Sequence, residues 1–160
     1  MDFDCVKMGF PPVYDENSRV LILGSFPSVK SREVSFYYGN KQNRFWKMLF
    51  GVFDEPLTES IDEKREFLLR HRIALWDIAT ECKIKGSSDS SLTEPKIADL
   101  SPILEKAKVD RILLNGTLAY DLFCTRYAKI GIPYYKLPST SPANPRYKEE
   151  PWRELLYDLR

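Results

Sequence analysis

Two stretches of this sequence carry residue types able to act on a planar, hydrogen-bonding ligand. The run Phe36-Tyr37-Tyr38-Gly39-Asn40-Lys41-Gln42-Asn43-Arg44-Phe45-Trp46 mixes rings, amides and cations. Aromatic faces make platforms for a heterocycle, amides read its hydrogen-bonding edge, and cations neutralise neighbouring phosphates. Tyr37, Tyr38 and Asn43 are the better site candidates in this run. Phe45 and Trp46 recur with Leu49, Phe50 and Phe53 at helical spacing and read as the core face of an amphipathic helix. The second stretch, Leu137-Pro138-Ser139-Thr140-Ser141-Pro142-Ala143-Asn144-Pro145-Arg146, sets small hydroxyl residues between prolines. A loop so stiffened presents hydroxyl and backbone N–H donors to a phosphate with little entropy left to lose. An ordinary proline-bounded turn has the same composition.

Residue counts remove other chemistries. Cys5, Cys82 and Cys124 are three, far apart and in no C-x-x-C arrangement, which supports neither a disulfide framework nor a zinc ribbon. The single histidine, His71, excludes a two-histidine metal site and leaves any imidazole-dependent triad to that one residue. It follows the predicted helix from Ser60 to Arg70, where a cation is favoured by the helix dipole. With 24 Lys+Arg against 23 Asp+Glu the net charge is +1, so affinity for a polyanion has to come from local clustering. The longest uncharged run, Val20 to Val29, is too short for a bilayer, and the N-terminus is acidic where a signal peptide is basic. A soluble, intracellular, cytoplasmic chain is expected, with no membrane partner and with a monomer as the default in the absence of heptads.

The elements that must position these residues follow from periodicity. Val20-Leu21-Ile22-Leu23, ending in Gly24, reads as a strand buried on both faces, as in a parallel sheet. Asn43 to Phe53 predicts a helix, and Ser60-Ile61-Asp62-Glu63 is a capping box opening another. Ile73 to Trp76, Arg111 to Leu114 and Tyr134 to Leu137 predict three further strands. Between them, Ser101-Pro102 reads as N-cap and first residue of a helix, Asn115-Gly116 as the turn into the next, and Pro151 as the start of a closing one. The polar segment Lys83 to Pro95 reads as a loop. Four strands alternating with helices predict one domain over residues 1–160: an α/β, three-layer α/β/α sandwich around a central, mostly parallel sheet. Ligands in such folds bind outside the carboxyl ends of the strands. The loops to inspect are therefore Gly24 to Asn43, Asp77 to Pro95, Asn115-Gly116 and Pro138 to Arg146.

In order, the segments GSFPS, FYYGNKQNRFW, ALWDIATECKIKGSSDSSL, LLNGTLAYDLF and LPSTSPAN resemble the uracil-DNA glycosylase superfamily, and within it the hypoxanthine-DNA glycosylase branch. The resemblance covers Val20 to about Asn144. It implies a four-stranded α/β/α fold and a monofunctional enzyme of base excision repair. The reaction implied is hydrolysis of the N-glycosidic bond of a deaminated base, hypoxanthine above all, in DNA. No cofactor and no metal are implied. The damaged nucleotide is flipped out of the duplex into a pocket.

Better known branches carry Asp, Asn or Glu where this chain has Phe26, which neither activates nor positions water. In the hypoxanthine branch the essential amide lies in an N-x-F-W element, matched by Asn43-Arg44-Phe45-Trp46, so the resemblance puts Asn43 in the catalytic role. It would orient water through its oxygen or donate to the leaving base through its nitrogen. Asp77 corresponds to the base-reading position of the uracil branch, and a helix or turn cap is the competing reading. Phe26, Tyr37 and Tyr38 are expected at the flipped base; Ser139, Thr140, Ser141 and Arg44 at the DNA phosphates; and a wedge residue between Ala143 and Tyr147. Alternatives are a uracil- or mismatch-directed glycosylase, a nucleic-acid-binding module without catalysis, and a nucleoside hydrolase.

Overall fold

The computed structural model describes residues 4–26, 36–85 and 92–160. In chain order the elements are β1 (Asp4–Met8), β2 (Val20–Gly24), α1 (Phe45–Val52), α2 (Ile61–Arg70), β3 (Ile73–Asp77), β4 (Ala79–Lys85), β5 (Leu92–Ile97), α3 (Ser101–Lys106), β6 (Arg111–Asn115), α4 (Thr117–Tyr127), β7 (Tyr134–Leu137) and α5 (Glu150–Leu156), closed by a 3-10 turn, Tyr157–Leu159. The four strands expected from the sequence form one sheet in the order β3-β2-β6-β7, every pair parallel.

The sheet explains why β2 is a continuous apolar run. All five of its residues are buried, and its side chains alternate between two cores. Val20 and Ile22 pack with Phe45, Leu49, Phe67 and Trp152 beneath α1, α2 and α5. Leu21 and Leu23 pack with Ile103, Ala119 and Phe123 beneath α3 and α4. Burying each such aliphatic side chain stabilises the fold by roughly 1.5–3 kcal/mol. The result is the three-layer α/β/α sandwich.

Capping residues fix where the helices begin. Ser60 Oγ accepts from the Glu63 N–H at 3.2 Å, as the capping box requires. The reciprocal half differs, since the Ser60 N–H donates to Thr58 Oγ1 and the Glu63 carboxylate also accepts from Thr58. Helix α1 opens with Asn43 Oδ1 accepting the Phe45 N–H at 2.9 Å. His71 stands at the C-cap of α2, the helix end expected for it. Its ring stacks on Phe53, centroids 4.0 Å apart, and its Nε2 meets Glu55 Oε2.

The segment Lys83 to Pro95, expected as a loop, is in part strand. β4 and β5 pair antiparallel, and β1 joins them, making a second sheet in the order β1-β4-β5. Residues 86–91 of that segment lie outside the described residues. The polar composition hid the strands because pairing on an antiparallel ribbon leaves one face open to water, so no continuous apolar run is needed. The ribbon grows directly out of β3. Ile78 and Ala79 donate their N–H groups to the Gly24 and Ser25 carbonyls just past the end of β2. Asp77 thus stands where the chain leaves one sheet for the other.

Candidate active site

The carboxyl ends of β2, β3 and β6 open onto a cavity of about 280 Å³. That is at or just below the small end of ligand pockets, the scale of one heterocycle. Both chemistry-bearing stretches reach it. From the first come Tyr37, Tyr38, Asn40 and Asn43; from the second, Ser139, Thr140 and Ser141. Phe26 and Asp77 line it as well and Arg44 does not, while Pro27 and Ser28 of the GSFPS segment lie outside the described residues.

Gly24 sets the depth of the cavity. It pairs with Asp77 across the parallel ladder, and a Cβ on it would meet Asp77 Oδ1 and lie 2.7 Å from the Tyr38 hydroxyl. Asp77 is 4% exposed, an unusual position for a carboxylate. Tyr38 reaches the same spot from a left-handed backbone, φ 52°, with its ring stacked on Phe45 at 4.1 Å. Burial, reinforced by the charge of Asp77, pushes the Tyr38 phenol far above its ordinary range. It stays protonated at any physiological pH.

Tyr37 plays a different part from its neighbour. Its hydroxyl donates to the carbonyl of Pro11 at 2.8 Å, and its ring packs edge-on against Phe10 and Phe36. The ring forms wall and the polar end faces away to the backbone. Phe26 is 5% exposed and packs against Ala79, on the ribbon side of the cavity.

Asn43 is at the cavity with its amide oriented. Because Oδ1 accepts from the Phe45 backbone N–H, Nδ2 is the end left for a ligand, and it has no hydrogen-bond partner among the described residues. Arg44, expected at a phosphate, is joined to the hydroxyl loop. Its Nη1 donates to the Ser141 and Asn144 carbonyls at 3.1 Å each, and its guanidinium lies over the Tyr147 ring. It fastens the hydroxyl loop to the start of α1.

The hydroxyl loop is organised internally as well. Ser139 Oγ accepts from the Ser141 N–H and Ser141 Oγ from the Ala143 N–H, leaving each hydroxyl proton for another acceptor. Gly116, φ 98°, allows Ser139 to approach the start of α4, its Cβ 3.0 Å from where a Gly116 Cβ would stand.

Asn115, at the end of β6, is the site residue that composition did not single out. It lines the cavity, its Oδ1 accepts from the Thr140 N–H at 3.0 Å, and its Nδ2 donates to Thr140 Oγ1 at 3.0 Å and to the Tyr38 hydroxyl at 3.1 Å. The signal for it was positional, a polar residue at the carboxyl end of an inner parallel strand. His71 does not line the cavity. Among the described residues no group of three or more His, Cys, Asp or Glu side chains is placed to hold a metal ion.

The chain belongs to the uracil DNA glycosylase superfamily, whose profile matches residues 11–160. It is 38% identical over 156 residues to the hypoxanthine DNA glycosylase of Methanosarcina acetivorans, covering 94% of this chain and 98% of that one. To the hypoxanthine DNA glycosylase of Methanosarcina barkeri it is 37% identical over 112 residues, 69% of this chain and 71% of the relative. Among solved structures, the solution NMR structure of a candidate uracil DNA glycosylase from Methanosarcina acetivorans superposes with a TM-score of 0.85 at 35% identity, covering 97% of this chain and 99% of its own. Among the described residues no helix is long and apolar enough to cross a membrane.

Proposed function

We propose that this chain is a monofunctional DNA glycosylase that removes deaminated bases, hypoxanthine first among them, as part of base excision repair. Water adds its oxygen to C1′ of the deoxyribose, the C1′–N9 bond breaks with its electron pair leaving on the base, and the remaining proton ends on base or solvent. The products are an abasic site and the free base, with the phosphodiester backbone intact. The likeness to two proteins named hypoxanthine DNA glycosylase, over 94% of the chain for one and 69% for the other, supports the base assignment.

The observation that carries the catalytic reading is the orientation of Asn43. With Oδ1 held by the backbone of α1, Nδ2 is directed to donate where negative charge gathers on the departing base. A preorganised donor at that point stabilises the transition state more than the ground state. Of the two roles open to an amide, Asn43 therefore takes leaving-group donation. Asp77 accepts from the ring N–H that hypoxanthine carries. Phe26, Tyr37 and Tyr38 form the walls around the base. The hydroxyl protons of Ser139 and Ser141 face the phosphates beside it. Arg44 acts on DNA through the loop it holds.

The test is a panel of short duplexes carrying one hypoxanthine, uracil or xanthine opposite each normal base, treated with wild type and with Asn43→Ala, then cut with alkali at abasic sites. Strong hypoxanthine release that falls by about 10²-fold or more in the variant is the expected result. Release of uracil alone moves the enzyme to another substrate. Binding without release of any base leaves a recognition module.

A further inference from the structure

Asn115 does more than join loops. Its amide orientation is unambiguous, because the Thr140 backbone N–H is a donor only and so requires Oδ1 on its side, at 3.0 Å. Nδ2 is then the group facing both the Tyr38 hydroxyl, at 3.1 Å, and Thr140 Oγ1, at 3.0 Å. Each hydroxyl therefore accepts from Asn115 and keeps its own proton. Among the described residues neither proton has an acceptor, and both residues line the cavity. Thr140 is 1% exposed, so water is a poor alternative for it.

A buried donor left without a partner costs free energy until a ligand supplies an acceptor. Beside the Tyr38 hydroxyl the polarity is opposite, since Asp77 offers only acceptor oxygens when ionised. The cleft thus shows donors and an acceptor side by side. Adenine presents an amino donor at C6 beside the bare N1 lone pair. Its deamination product presents the reverse, a carbonyl oxygen at C6 beside N1–H.

We infer that Asn115 is a positioning residue that commits the hydroxyls of Tyr38 and Thr140 to donating into the cavity, and that this commitment selects a base edge bearing a carbonyl oxygen over one bearing an amino group. The inference rests on the glycosylase reading above. It assigns the discrimination between damaged and normal base to hydroxyls that would otherwise be indifferent, since a free hydroxyl donates or accepts equally well. Asn115 removes the second option. A site built this way rejects a substrate lacking its acceptor far more strongly than a purely apolar pocket rejects a change of shape.

The experiment measures single-turnover release of hypoxanthine and of unsubstituted purine, which has no oxygen at C6, from otherwise identical duplexes. Wild type is compared with Asn115→Asp, Tyr38→Phe and the double variant. Aspartate preserves the acceptor for the Thr140 N–H but replaces the donating Nδ2 with an oxygen, which draws both hydroxyl protons toward itself. Asn115→Asp is expected to lower the hypoxanthine-to-purine ratio by about tenfold or more. Tyr38→Phe, which loses only an oxygen, is expected to lower the same ratio. The double variant is expected to fall by less than the product of the two.

A ratio unchanged in both single variants overturns this inference alone, because hypoxanthine release by wild type shows the glycosylase reading intact. Absence of hypoxanthine release by wild type overturns that reading and this one together. Should Asn115→Asp fail to fold, the ratio in Tyr38→Phe decides.

Discussion

Gly24 and Asp77 face each other at the ends of two parallel strands, and the missing Cβ of the glycine is the space that the Asp77 carboxylate and the Tyr38 hydroxyl occupy. The substitution Gly24→Ala would force a methyl group to within 2.7 Å of that hydroxyl and closer still to the carboxylate. Neither neighbour yields easily, since Tyr38 is stacked on Phe45 and Asp77 is strand-borne and buried. A destabilisation of about 1–3 kcal/mol is expected from overpacking, read as a fall in Tm. Base release should be lost even where the protein stays folded. A variant with wild-type stability and rate would show that the cavity floor is not built on this contact.

Asn43 has two separable duties. Asn43→Ala removes the acceptor of the Phe45 N–H and the amide donor together, so a loss of about 1 kcal/mol in stability should accompany the loss of base release. Asn43→Asp retains an acceptor for the Phe45 N–H and places a negative charge at a helix start, where it is favourable. Its stability should match or exceed wild type while base release stays low. Thermal unfolding and single-turnover rates on the same samples make the comparison.

Arg44 is expected to influence DNA binding without touching a phosphate. Its guanidinium joins two carbonyls of the hydroxyl loop and covers Tyr147, a combination that a lysine ammonium does not reproduce. Arg44→Lys should therefore weaken binding, yet leave the slope of log K against log salt unchanged. Loss of a direct phosphate contact would instead reduce that slope by about 0.9. Binding titrations at several salt concentrations separate the two.

Acid stability should depend on Glu55. Paired with Arg70 through two hydrogen bonds and with His71 through a third, its carboxyl is lowered from the ordinary 4.5 to about 2. A depressed carboxylate stabilises the fold above its unfolded-state value and loses that contribution as the pH falls toward the folded one. Between pH of about 4.5 and 2 the Tm of wild type should thus fall more steeply than that of Glu55→Gln. Parallel Tm–pH curves would show that the cluster contributes nothing to acid stability.

Much of the scaffold was legible before folding was considered. A strand buried on both faces must be apolar throughout, so Val20 to Leu23 declared itself, and with it the parallel sheet. Local hydrogen bonds are likewise written in short spacings, as with Ser60 and Glu63 or Asn43 and Phe45. Residue types marked Tyr37, Tyr38 and Asn43 as site candidates, whereas the hydroxyl loop was set apart from an ordinary proline-bounded turn only by the family resemblance.

What composition left open was decided by contacts between residues far apart in the chain. Tyr37 and Tyr38 are chemically identical neighbours, yet one hydroxyl donates to Pro11 and the other accepts from Asn115, 77 positions away. Nothing local gives Arg44 a partner, and the fold brings the Asn144 carbonyl, 100 positions on, to its Nη1. The second sheet escaped notice because an antiparallel ribbon asks for little apolar content. Residue type sets what a group is able to donate, accept or bury. Only the tertiary structure determines which partner takes up that capacity, and so which capacity remains for the substrate, because hydrogen-bonding groups saturate and each partner gained inside the protein is one fewer for the ligand.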